Sequence, residues 1–143
     1  MKLIFTLFWK NAKVQIFFSF IIFLDIINLS IEILILGRAV PRLFYKGYIY
    51  DGYLFALVLQ LIEGAHHVVP ERLTKEEKKL IVNQLKSIHN CGVLHNDISK
   101  QNILYEPKSR HYFFIDFGLS EIVDIESPKL RKEERILKRF LQL

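Results

Sequence analysis

VLHNDISKQNILYE (93–106), followed at once by PKSRHYFFIDFGLS (107–120), is the stretch whose reading decides the fold. Polar side chains from His95 to Asn102 sit between short apolar pieces, so neither a helical nor a strand period runs through them. Beyond them, Ile103 to Tyr105 and Tyr112 to Ile115 flank a Pro-Lys-Ser turn and predict a short hairpin. Two acids and an amide, Asp97, Asn102 and Asp116, bracket that hairpin.

Just upstream, Thr74 with Glu77 three residues later forms a capping box. Ile81, Leu85 and Ile88 then recur at helical spacing until Gly92 closes the segment, which predicts an amphipathic helix. Before it, RLFYKGYIY (42–50) and YLFALVLQLI (53–62) are strand-length runs joined by Asp51-Gly52, a tight-turn signal, and ended by Glu63-Gly64. The second run is apolar almost throughout, as a strand buried on both faces is. Residues 65–73 read as a loop, and the adjacent His66 and His67 cannot both face one ion from regular structure.

At 143 residues, 51% apolar and 24% charged, the chain has room for one domain. Twenty basic residues against fifteen acidic ones give a net charge of +5, a modest excess that argues against a specific nucleic-acid partner. A lone cysteine, Cys91, excludes an internal disulfide and a cysteine-built zinc site and fits a reducing compartment. The apolar excess gathers in VQIFFSFIIFLDIINLSIEILIL (14–36), preceded by Lys2, Lys10 and Lys13. The run is long enough to span a bilayer, but each of Asp25 and Glu32 costs about 3 kcal/mol at a helix centre, where each Leu, Ile, Phe or Val returns only about 0.3–0.6 kcal/mol. Residues 1–36 are therefore expected to form an apolar N-terminal helical segment, either a membrane anchor making contact through 14–36 or a buried helix. Residues 37–143 form the second unit. It ends in PKLRKEERILKRFLQL (128–143), where Leu130, Leu137 and Leu141 share one face of a basic amphipathic helix.

His95-Asn96-Asp97, then Asn102, then Asp116-Phe117-Gly118 resembles the catalytic loop and metal-binding loop of the protein-kinase-like superfamily, H-x-D-x-x-x-x-N followed by D-F-G. The intervening hairpin and the preceding helix fall in the order that family requires. LVLQLIEG (57–64) likewise resembles its buried strand and hinge, so the likeness runs over roughly residues 38–120. The resemblance implies an α+β fold fragment of hinge strands, long helix and catalytic hairpin. It implies Asp97 as catalytic base, Asn102 and Asp116 as Mg²⁺ ligands, and His95, Lys100, Phe117 and Gly118 in support. Gln60, Leu61, Ile62 and Glu63 would hold the ATP adenine, and the acceptor would be a protein or small-molecule hydroxyl, protein Ser/Thr first. This chemistry is intelligible in itself: phosphoryl transfer needs oxygens around Mg²⁺ and a carboxylate to take the proton of the attacking hydroxyl.

The departures are informative. Ser99 stands two after Asp97, where Ser/Thr kinases usually carry lysine, and Lys100 is adjacent. Asn96 replaces the usual arginine, which removes the cation that would pair with a phosphorylated activation loop. Both features, with IDFGLS, are closer to atypical and small-molecule-kinase-like members. No glycine-rich loop and no lysine in a V-A-I-K context precede the first hairpin, and no A-P-E segment follows Gly118, so the domain is expected to be incomplete at both ends. Two functions follow as expectations: an ATP- and Mg²⁺-dependent phosphotransferase, or a non-catalytic interaction module built on the same fold. The expected setting is the cytoplasm, or a membrane-anchored position facing it.

Overall fold

The computed structural model describes residues 3–9, 12–18, 38–49, 51–52 and 54–143. Strands β1 (Leu3–Trp9), β2 (Ala12–Phe18), β3 (Leu43–Ile49) and β4 (Leu54–Gln60) form an antiparallel sheet in the order β1-β2-β4-β3. The predicted hairpin of residues 42–62 is β3–β4. Its turn places Asp51 at φ 53° and Gly52 at φ 92°, the left-handed pair that an Asp-Gly turn favours. A bulge between Leu43 and Tyr45 interrupts the register at Phe44.

The structure corrects the expected helical segment of residues 1–36 in its first part, where Leu3–Trp9 and Ala12–Phe18 are strands. Residues 14–18 belong to β2, and Val14 to Phe18 pair with Gln60 to Ala56 of β4. An unbroken apolar run reads alike for a buried helix and a doubly buried strand, and here the open edge of β4 supplies the hydrogen-bonding partner that decides it. Residues 19–37, which hold the rest of that run, lie outside the described residues. No helix among the described residues is long and apolar enough to cross a membrane.

Beyond β4 the chain turns at Gly64 (φ 66°) into β5 (His66–His67), which pairs with β7 (Ile103–Glu106), so the expected loop of residues 65–73 contributes a short strand. It also contains a single 3₁₀ turn at Pro70–Arg72. Helix α1 (Lys75–His89) starts with the predicted capping box: Glu77 N–H donates to Thr74 Oγ1 at 3.2 Å, and Thr74 N–H donates to a Glu77 carboxylate oxygen at 2.7 Å. Its buried stripe is Ile81, Val82, Leu85 and Ile88, all at most 4% exposed.

At the end of α1, Gly92 adopts φ 71° and its carbonyl accepts from Val123 N–H at 2.8 Å. A Cβ there would stand 2.7 Å from the Val123 carbonyl oxygen, so the position requires glycine for space as well as for conformation. Strand β6 (Val93–Leu94) pairs with β9 (Glu121–Ile122), and β7 pairs with β8 (His111–Phe114) as the predicted second hairpin. Helix α2 (Pro128–Phe140) packs against α1 and buries Leu130 and Leu137, with Leu141 just past its end. One core joins these pieces, with Val40, Ile81, Leu85, Ile88, Ile103, Phe114, Leu137 and Leu141 in contact. The two halves are tied where Phe114 N–H donates to Ala39 O at 2.7 Å.

Candidate active site

The catalytic-loop residues occupy the turn between β6 and β7, and the residues from Asp116 onward leave the end of β8. Both need unusual backbone. Asn96 has φ 63° and Asp116 φ 62°, and Asn and Asp are the side chains that tolerate this region best after glycine. Such conformations persist only where surrounding bonds over-determine them.

His95 supplies several of those bonds. It is fully buried, its ring Nε2 lies 3.0 Å from the Ile115 carbonyl, and its Nδ1 accepts from Asp97 N–H at 3.3 Å. A carbonyl partner on Nε2 and an N–H partner on Nδ1 are satisfied together only by the neutral ring protonated on Nε2. Burial also pushes the imidazole below its ordinary value, although hydrogen bonding to Ile115 and the nearby acids work against that shift. His95 is thus a brace, with Phe117 packed on its ring at 4.6 Å.

Ile115, immediately before Asp116, is held from both sides: its carbonyl by His95, and its N–H by the Asn102 carbonyl at 3.0 Å. Asn102 is buried, and its Nδ2 donates to the Asp97 carbonyl at 2.9 Å and to Asp97 Oδ2 at 2.7 Å. The structure therefore brings Asp97, Asn102 and the backbone leading to Asp116 into one hydrogen-bonded unit. Lys100 lies exposed at the start of the 3₁₀ turn that carries Asn102, and Gly118 is exposed beyond Phe117. Of the hinge residues, Gln60 folds its side chain back to accept from Arg42 N–H at 3.3 Å, Ile62 is buried, and Leu61 and Glu63 continue the strand end toward Gly64.

Sequence reasoning missed Glu133. This residue of α2 is only 4% exposed, and its carboxylate accepts from Asn96 N–H at 2.6 Å, from His95 N–H at 3.1 Å and from His89 Nε2 at 2.8 Å. Burial alone pushes the Glu133 carboxyl up, but these hydrogen bonds outweigh it and hold the group below the usual carboxylate range. The catalytic loop thus hangs from α2 by two backbone amides. A signal was present: Glu133 falls between Leu130 and Leu137 on the apolar stripe, where an acid needs partners.

No group of three His, Cys, Asp or Glu side chains among the described residues forms a metal cage. The donor set still fits Mg²⁺, which takes one or two protein oxygens and completes its shell with phosphate and water. With Asn102 Nδ2 directed at Asp97, the Asn102 Oδ1 is the oxygen left for a cation.

The family model for the protein kinase domain matches residues 43–138, from β3 into α2. The chain belongs to the protein kinase domain family. The match includes the hinge, the catalytic loop, Asp116 and Glu133. Among curated proteins, a probable serine/threonine-protein kinase of Dictyostelium discoideum, fnkB, is 33% identical over 73 residues, covering 51% of this chain and 14% of its own length. The serine/threonine-protein kinase RAD53 of Saccharomyces cerevisiae is 30% identical over 86 residues, 54% of this chain and 10% of its own. The chain thus spans a small part of these relatives. The Cydia pomonella granulovirus kinase PK-1 shares the fold with a TM-score of 0.61 at 22% identity, over 79% of this chain and 45% of the viral one.

Proposed function

We propose that this kinase-family chain binds ATP with Mg²⁺ and transfers the γ-phosphoryl group to a hydroxyl, with protein serine or threonine as the acceptor. The observation that carries this reading is the Asn102 amide on Asp97, which joins the base and one Mg²⁺ ligand in a single part-buried unit. Asp97 Oδ2 is engaged by Asn102, which fixes the carboxylate plane and leaves Oδ1 to accept the proton of the attacking hydroxyl. Asn102 Oδ1 and the Asp116 carboxylate would hold the cation, and the hinge at 60–63 the adenine. Bound Mg²⁺ neutralises charge on the transferring phosphate. The lone cysteine and the need for ATP fit a cytoplasmic setting.

The test is transfer of labelled phosphate from ATP to serine peptides by the full chain and by Asp97→Asn, which keeps the shape and removes the base. Loss of the base is expected to lower transfer by about 10²–10⁴-fold while leaving nucleotide binding in place. Transfer that is unchanged in Asp97→Asn overturns the role given to Asp97. The second reading, a non-catalytic interaction module, is favoured by the sequence between β1 and β2, Lys10-Asn11, which holds no glycine of the kind that lets backbone amides cradle phosphates. A folded chain that binds no ATP decides for it.

A further inference from the structure

A cleft of about 470 Å³ lies between the catalytic loop and α2, within the range of about 300–1,000 Å³ that ligand sites occupy. Asp97 lines it, so a group bound there sits beside the proposed base. Its apolar wall is Leu94, Ile98 and Ile136, and its charged rim is Lys129, Lys132 and Glu121. Apart from Asp97, whose Oδ1 is open, the acids on these walls are already committed. Both Glu133 oxygens are filled by His89 and the two loop amides, and Glu121 is paired with Lys129 at 2.8 Å. Lys132 has no hydrogen bond or ion pair among the described residues, and it follows Lys129 by three positions, which places both on one face of α2.

We propose that this cleft is the acceptor site and that Lys132, with Lys129 behind it, selects peptide segments carrying an acidic side chain next to the target serine or threonine. The inference rests on the phosphotransferase reading for the identity of the acceptor, but its charge logic is independent of nucleotide. An acceptor hydroxyl must reach Asp97 Oδ1, and Lys132 lines the same cleft. A carboxylate there replaces water around an unpaired cation, whereas a basic segment meets like charge. Ile98 and Ile136 offer the adjoining apolar contact.

The experiment is fluorescence anisotropy of the full chain at low salt with a labelled serine peptide flanked by aspartates and with the same peptide flanked by asparagines. The aspartate peptide is expected to bind about fivefold more tightly, in line with one partly exposed ion pair. Lys132→Glu is expected to erase the preference. Lys79→Glu, an exposed site on α1 with the same change in net charge, is expected to keep it. Equal binding of the two peptides, or a preference lost equally in both variants, overturns the proposal, since attraction would then come from the overall +5 charge. Mg²⁺-ATP binding measured in parallel separates the two readings. A Lys132-dependent preference without ATP binding upholds the cleft and removes the phosphotransferase, whereas ATP binding without the preference removes the cleft's selectivity alone.

Discussion

Glu133 holds a catalytic loop by its backbone, so its chemistry matters more than its charge. Glutamine at this position offers one carbonyl oxygen where three N–H groups now find acceptors, and turns an NH₂ group toward at least one of them. Glu133→Gln is therefore expected to cost about 2 kcal/mol, the range for losing buried hydrogen bonds to a charged group, as read by urea denaturation. A variant as stable as the parent contradicts the bond set. Asp97, Asn102 and Asp116 were legible from sequence because their spacing is a local pattern. Glu133 was not, because its partners lie 37, 38 and 44 residues away in the chain and only folding reveals them. The neutral tautomer of His95 was equally hidden, since it depends on which atoms face the two ring nitrogens.

Element by element, the chain shows its helices more plainly than its first strands. Helix α1 carries a cap at Thr74, a periodic stripe and a glycine stop, three local signals that agree. The β3–β4 hairpin has its Asp-Gly turn. The run from residue 14 has no punctuation, so nothing local separates helix from strand, and the partner edge on β4 settles residues 14–18. The stop at Gly92 gives a sharp prediction. Gly92→Ala must hold Ala at φ 71° and move the Val123 carbonyl, disturbing the Val123 N–H bond to the Gly92 carbonyl beside the β6–β9 pair. Strain in the left-handed region alone is about 1–2 kcal/mol, so thermal unfolding is expected to fall by roughly 5 °C. An unchanged melting temperature contradicts the close approach of residues 92 and 123.

Across the whole molecule, the perturbed carboxylates and histidines share a sign, while burial pushes the Tyr112 phenol up. Glu133, Glu77 and His95 are all held below their ordinary values in the folded chain, so the unfolded chain binds more protons and stability rises with pH. Acidification first charges His95 in the unfolded state below its ordinary value of 6.5, and then protonates the two glutamates below 4.5. Denaturation midpoints are expected to hold steady between about pH 7 and about pH 9, below the ordinary tyrosine range, and to decline in two stages toward about pH 4. Equal stability at both ends contradicts the buried environments of His95 and Glu133. One unit carries all of this, because the core that runs from Val40 through α1 to Leu141 also sets the loop between β6 and β7 against the backbone leading to Asp116. The most direct test of a working nucleotide site is calorimetric titration of the full chain with ATP, with and without Mg²⁺, alongside Asp116→Ala. Binding that requires Mg²⁺ and is lost in Asp116→Ala is expected. Binding that ignores both, or no binding by a folded chain, contradicts it.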